Sequence, residues 1–285
     1  MHWNKIQTHV IRGFFLAFFL SPLFGFSQIS LDSLESKLAH FGGKILVDST
    51  NQERLAANDS FTHYLEWALE SHASYAHEFD QVKNLSALRA PNDKFRIYTW
   101  VVPLTNGSYQ YNGYLYLIPR KGSPYYLKLK PEQHNTSQAM DKVLETDQWY
   151  GALYYKVLHH KRKRKHYYTL LGWHGQDATE TQKLVDVLVF DAFDEPFFGY
   201  PMIQIKENEK ALCRYILRYS AKAFATLRYE PRYKMIVMDN LQPTVEGAEG
   251  MYQYYGPDFT YNGLKYKKGK WIFEENIDVR NLGEN

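Results

Sequence analysis

The residues of this chain that could carry chemistry fall in three places. The first is a run of five consecutive cations, Lys161, Arg162, Lys163, Arg164 and Lys165, with His159, His160 and His166 beside it. Adjacent positive charges on a surface suit the phosphate or uronate groups of an envelope glycan, lipid head groups or an acidic protein partner, because the summed field attracts anions. The same run would equally keep an exposed β element soluble and unable to pair edge to edge. The second place is Gly172-Trp173-His174-Gly175-Gln176-Asp177. Glycines on both sides of Trp173 and His174 read as a tight loop that holds an aromatic ring and an imidazole outward, for stacking a ligand or moving a proton. A Trp folded back as a lid on the core explains the same residues. The third is a set of carboxylates. Asp186 lies in Leu184-Val185-Asp186-Val187-Leu188, apolar on both sides. A buried acid there must be paired, and an Arg from a neighbouring strand is the plain partner, whereas an unpaired one would titrate in a catalytic range. Glu246 and Glu249 sit on a Gly-rich stretch, T-V-E-G-A-E-G. Two carboxylates at a set separation are what a glycosidase uses, although this spacing alone is weak support.

Other chemistries find no motif. The sequence contains no Walker loop, no His-Glu-x-x-His, no Gly-x-Ser-x-Gly and no Cys-x-x-Cys. His63, His72 and His77 do not recur on one helical face, so they read as surface or packed histidines. Neither a metal nor a cofactor is expected. The one cysteine, Cys213, reads as a small buried thiol, and a single thiol makes no internal disulfide.

The elements that must position these residues are legible from periodicity. Tyr150 to Leu158 and Tyr167 to Trp173 alternate apolar and aromatic residues around the cationic run, which predicts a long hairpin with the five cations as its exposed tip. Lys183 to Phe190 then forms a third strand. Residues 28–91 read as a helical amino-terminal segment: Leu31, Leu34 and Leu38 recur at helical spacing, and a second helix covers Asn51 to Ser71 with Leu55, Phe61, Leu65 and Leu69 buried. Asp59 and Ser60 predict a break inside it. Residues 92–281 read as a β-rich domain, with strands at Phe95 to Val102, Tyr109 to Ile118, Tyr125 to Leu129, Cys213 to Tyr219, Ala223 to Tyr229 and Tyr233 to Asp239, and a closing hairpin around Lys268-Gly269. Short turns between most of them favour antiparallel pairing. The fold class expected is therefore α+β, a helical start followed by a large antiparallel meander shaped as an open barrel or sandwich.

Residues 1–27 carry Lys5 and Arg12, then the apolar stretch Gly13 to Leu20, then Gly25 and Ser27 ahead of Gln28. That is the pattern of a cleaved export signal, with an apolar core shorter than the ~20 residues a spanning helix needs. Export to the periplasm or the cell exterior follows as an expectation, with no transmembrane span after cleavage. Removing that segment leaves 32 of the 34 basic residues against 31 acids, a formal +1. Five of those cations are Lys161 to Lys165, so the rest of the mature chain carries −4. A neutral protein with one basic knob lacks the broad basic face of a nucleic-acid binder. Tyrosine numbers 24 of 285 residues and occurs on both faces of several strands, which suits half-buried pleated surfaces better than a one-sided sugar platform. The helical start and the charged strands count against an outer-membrane barrel.

Four segments, Y-Y-T-L-L-G-W, L-V-D-V-L-V-F-D, M-Y-Q-Y-Y-G-P-D-F and K-K-G-K-W, resemble a family of exported bacterial proteins of about this length that has no assigned activity. The resemblance covers about Phe95 to Asn281. It implies export and a single-chain architecture and contributes no catalytic residue. The family carries an acid after the Gly-Trp where this chain has His174, which weakens His174 as a shared catalytic group. The function expected is a non-enzymatic envelope protein for binding or assembly, and the alternative is a hydrolase of envelope glycan working through Asp186, Glu246 or Glu249.

Overall fold

The computed structural model describes residues 30–278, and the export signal lies outside them. The chain opens with helices α1 (Leu31–Val47) and α2 (Asn51–Glu70), each started by a side chain that caps free backbone N–H groups. Thr50 and Glu53 form a reciprocal capping box on α2. No break occurs at Asp59 and Ser60, contrary to the sequence expectation. The Ser60 hydroxyl donates back to the Ala56 carbonyl at 3.1 Å, and Asn58 turns inward to accept from the Trp100 indole at 2.7 Å. Polar groups that would compete with the helix are thus satisfied within it or by the core behind it.

The strands follow in three sheets, antiparallel except for a short parallel strand on the edge of the third. The first contains β1 (Ser86–Arg89), β2 (Phe95–Pro103), β3 (Tyr109–Leu117) and β4 (Tyr125–Leu129) in that order. Strand β1 corrects the reading of residues 28–91 as wholly helical, since it pairs with β2 from Ser86↔Thr99 to Arg89↔Arg96. A short helix α3 (Thr136–Asp141) leads to the second sheet, made of β5 (Leu153–Arg162), β6 (Lys165–Gly175) and β7 (Glu180–Phe190), extended by β8 (Pro196–Phe198) and, after β9 (Ile203–Gln204), by β10 (Tyr215–Ser220). The third sheet holds β11 (Leu227–Glu230), β12 (Met235–Pro243), β13 (Tyr255–Lys267) and β14 (Lys270–Glu274), with β9 added in parallel on the edge of β14. The sheets stay open and do not close into a barrel. The fold is α+β and mostly β.

Three apolar layers hold the stack together, and strand alternation decides which residue serves which layer. On β2, Tyr98, Trp100 and Val102 face α1 and α2, where Leu38, Phe61 and Leu65 are fully buried. Phe95 and Ile97 point the other way, onto Tyr154, Tyr168, Leu170, Leu184 and Leu188 of the second sheet. The opposite face of that sheet offers Leu171, Val185 and Val187 to Ile236, Met238, Leu264 and Trp271 of the third. The helices therefore share a core with the tyrosines of the first sheet rather than standing apart from it. Many tyrosines are core residues, which accounts for their presence on both faces of a strand.

Two strand boundaries fall later than the sequence suggests. Cys213 and Arg214 lie ahead of β10 because their N–H groups bond to the Met140 carbonyl at 2.8 and 3.1 Å, and β11 begins only at Leu227. The larger correction is at Gly172 to Gly175, which is not a loop. These residues finish β6, paired with β7 through Gly172↔Leu184 and Gly175↔Thr181. The glycines serve close packing. A Cβ on Gly172 would stand 2.9 Å from the Tyr154 ring and 3.2 Å from Ala152. Replacing Gly172 by Ala is expected to destabilise the protein by about 1–3 kcal/mol, the usual cost of overpacking a core. Urea unfolding of G172A checks it: a midpoint equal to wild type would show that the space is freer than the packing indicates.

Candidate anion-binding groove

Strands β5 and β6 run almost to the end of the cationic run, so the connection between them is shorter than the five residues expected. Only Lys163 and Arg164 form the turn, with Lys163 in the left-handed region at φ 55°, while Lys161, Arg162 and Lys165 remain in the ladder. All five side chains are exposed. Four of them, Arg162 to Lys165, form one wall of a groove of about 990 Å³. Other elements end at the same place. Lys94 enters from the start of β2, Arg120 from just after β3, and Phe190 with Asp191 and Asp194 from the end of β7. Half-buried Phe190 forms the apolar floor, with Tyr168 buried beneath it and edge-on against Phe95 and Phe190.

The charges of the groove do not balance. Each of its acids already has a partner: Asp93 meets Arg89 at 2.6 Å, Asp194 meets Lys94, and Asp191 accepts from the N–H groups of Phe193 and Glu195. Among the described residues, Arg120, Arg162, Lys163, Arg164 and Lys165 form no ion pair. Lys165 lies over the Tyr200 ring at 4.5 Å, and Arg162 crosses Gly269, where a Cβ would come within 2.4 Å of its Cδ. Five unpaired cations around one groove with an aromatic floor make a site for an anion that carries some apolar surface.

Three histidines stand behind this wall. His159 Nε2 and His166 Nδ1 are 2.8 Å apart, and their rings are parallel. Burial lowers the His159 pKa below the ordinary imidazole value, with the His166 and Lys161 charges adding to it. His166 is lowered too, by burial first and then by Lys161, Arg120 and Lys94. His160 faces the other way, stacked on Tyr266 at 3.9 Å, and burial pushes it down to about 4.

The remaining candidates are elsewhere. His174 lies nine residues beyond Lys165 on β6, about 30 Å along a strand of ~3.4 Å rise. Rather than projecting from a loop, its ring stacks on Tyr111 at 4.6 Å, and Nδ1 donates to the Gly151 carbonyl at 2.6 Å. Burial lowers its pKa. With Tyr109, His134 and Tyr150 it lines a second, smaller cleft of about 380 Å³. Trp173 is half-buried and sits edge-on against Tyr109. Asp186 is fully buried, its carboxylate 3.0 Å from Arg214, and it accepts from the Tyr154 hydroxyl at 3.0 Å and the Val187 N–H at 2.8 Å. Glu246 and Glu249 are exposed on the loop between β12 and β13 and border neither cavity. The structure therefore does not bring the three acids together. His77 pairs with Glu35 at 2.7 Å, and Asp32 joins them in a group whose potential ligand atoms lie within 4.8 Å of one another. The second Glu35 oxygen accepts from the Gln81 N–H.

Sequence reading missed Lys94, Arg120, Tyr168 and Phe190 as groove residues. They carry no motif, and their only shared signal is that each lies at or near a strand end. Comparison with protein-family models, with curated proteins and with solved structures found no match to this chain. The groove must be interpreted on its own chemistry.

One expectation tests the assignment of Asp186 to structure. Replacing Arg214 by Met leaves a buried carboxylate unpaired and should cost about 3–5 kcal/mol, while the double change R214M/D186L should recover most of it. Calorimetric melting of both variants reads this out. Equal melting temperatures for wild type and R214M would mean that Asp186 does not depend on its partner.

Proposed function

We propose that this protein is an exported, non-enzymatic module of the cell envelope that binds a phosphate- or uronate-bearing glycan in the groove beside Lys163 and Arg164. The observation that carries the reading is the charge imbalance: every acid lining the groove is partnered, and five of its cations form no ion pair among the described residues. A groove of about 990 Å³ is large enough for more than a single anion, and the half-buried Phe190 offers apolar surface to a sugar ring. Support for binding rather than hydrolysis comes from the three nominated carboxylates. Asp186 is neutralised in the core, and Glu246 and Glu249 lie on a solvated loop away from both cavities. Export rests on residues 1–27 and on the resemblance of the β segments to an exported family.

Attraction between exposed charges is screened beyond about 8 Å at physiological salt, so binding through these cations should weaken steeply as salt rises. The variant R120Q/K163Q/R164Q should lose most retention on anionic envelope glycan at low salt. Each of its changes should alter stability by less than about 0.5 kcal/mol, because the side chains are exposed. Pull-down at low and high salt, with light scattering of the same variant, tests it. A variant that binds as wild type but aggregates more readily would make the cations a solubility device instead.

Export has its own test. The mature chain should begin at or near Gln28, read by amino-terminal sequencing of protein from the envelope fraction. Cytosolic protein that still begins at Met1 would remove the export half of the proposal.

A further inference from the structure

The His159 and His166 pair gives the groove a property that lysines and arginines alone cannot supply. Two imidazole nitrogens 2.8 Å apart hold one proton between them, so one nitrogen donates and the other accepts. Asn92 fixes the direction. Its amide Nδ2 donates to the Tyr168 hydroxyl at 3.0 Å and lies 3.5 Å from His166 Nδ1, so an Asn92 N–H is directed at that nitrogen. His166 Nδ1 is thus the acceptor, and the proton of its neutral ring is on Nε2. That nitrogen forms no hydrogen bond among the described residues, on a side chain that lines the groove. The donor to Nδ1 is His159 Nε2–H, which leaves His159 Nδ1 bare and able to take a further proton.

The groups facing the pair oppose that further proton while the groove is empty. Lys161 comes from β5, Lys94 from the approach to β2 and Arg120 from beyond β3. The acids nearby, Asp93 and Asp194, are held by Arg89 and Lys94, and burial keeps the Tyr168 hydroxyl neutral. An incoming anion offsets this field, and a doubly charged one offsets it more than a single carboxylate does. Building on the anion-binding reading of the groove, we propose that its ligand group is a dianion, a phosphate monoester or sulfate, seated against His166 Nε2–H and the neighbouring cations, and that one proton is taken up from solvent onto His159 Nδ1 as it binds. The one covalent change is that N–H bond, and the charges of the dianion and the added proton partly cancel.

The sign of the pH dependence follows. The pair holds its proton more tightly in the complex than in the free protein, so the additional affinity is fully present below the free pKa. It is lost as pH rises through the value in the complex. A rise of one unit on binding corresponds to about a tenfold change in affinity.

Sulfate is the informative probe because it keeps both charges across the range, so its own titration adds nothing. Isothermal titration of the full chain with sodium sulfate, at low ionic strength from pH 8 to pH 5.5, is run in two buffers of different ionisation enthalpy to count protons. The expected result is a Kd that falls about tenfold toward pH 5.5, with up to one proton taken up. His159→Gln removes the imidazole whose Nδ1 takes the extra proton and leaves only His166 to titrate. Both the tightening toward pH 5.5 and the proton uptake should fall well below wild type. If that variant does not fold, the proton count on wild type decides alone. Sulfate affinity that is flat with pH in wild type, or tightens equally in H159Q, overturns the coupling and leaves the groove reading standing. Absence of sulfate binding at every pH overturns both. Glucose 6-phosphate and vesicles containing phosphatidic acid form two further arms. Tightening for either supports the proposal and tells a sugar-borne from a lipid-borne group, whereas acetate bound as tightly as sulfate at pH 6 overturns the dianion assignment.

Discussion

One buried charge pair constrains the elements around it in a β stack that apolar layers hold together. Asp186 and Arg214 are both fully buried, 3.0 Å apart, between the first and second sheets. Neither charge could remain there alone, since an isolated ion in a low-dielectric interior costs several kcal/mol even after relaxation. Hydrogen bonds hold the carboxylate and one guanidinium nitrogen, while Arg214 Nε and Nη2 form no hydrogen bond among the described residues and Nη2 meets Asp186 as an ion pair. Tyr154 on β5 donates to Asp186 and accepts from the Trp149 indole, the Val187 N–H donates to the carboxylate, and Arg214 reaches the Ala139 carbonyl at 2.6 Å. One ionic contact thus fixes β5 against β7, and holds the approach to β10 against helix α3. Breaking it exposes unpaired groups on several elements at once, which is why its role is structural although an acid in an apolar strand invites a catalytic reading.

The groove is a consequence of that fixed stack. Strands β5, β6 and β7 are held in one register, so the β5–β6 turn and the end of β7 arrive at the same rim as the start of β2 and the end of β3. Residues distant in sequence then converge: Lys94, Arg120, Lys163 and Asp194 come from four separate connections. Each acid at that rim is already bound to a cation or to backbone N–H groups of its own turn, leaving the hairpin cations without counter-charges among the described residues. A surplus of this kind persists in a folded protein because the groups are solvated.

Local pattern foretold the helices, most strands, the exposure of Lys161 to Lys165 and the pairing of Asp186 with an Arg, because alternation and charge are properties of neighbouring residues. It failed where a residue's role is set by what lies across a sheet. Gly172 and Gly175 looked like loop glycines, and only the Tyr154 and Tyr109 rings pressed against them show that they are there to make room. His174 looked like an outward group for the same reason, while its stacking partner Tyr111 is more than sixty residues away in sequence. Ser60 carried a genuine capping signal that the helix absorbed through the Ala56 carbonyl. The groove was half legible: the hairpin announced its cations, but nothing local marked Arg120 or Phe190 as their neighbours.

The third sheet explains why the cationic hairpin can be long without being loose. Trp271 on β14 is fully buried and its indole donates to Thr169 on β6 at 2.9 Å, which anchors the third sheet to the middle of the hairpin. Farther toward the tip, His160 stacks on Tyr266 of β13, and Lys165 lies over Tyr200. At the end, Arg162 passes over the β13–β14 turn at Gly269, where a side chain would collide with it. Contacts therefore continue along the whole length of the hairpin, so the cations next to the turn extend from packed strands and Lys163 and Arg164 form the turn itself. The same packing places His160 with its face on an aromatic ring, turned away from the groove that His166 lines.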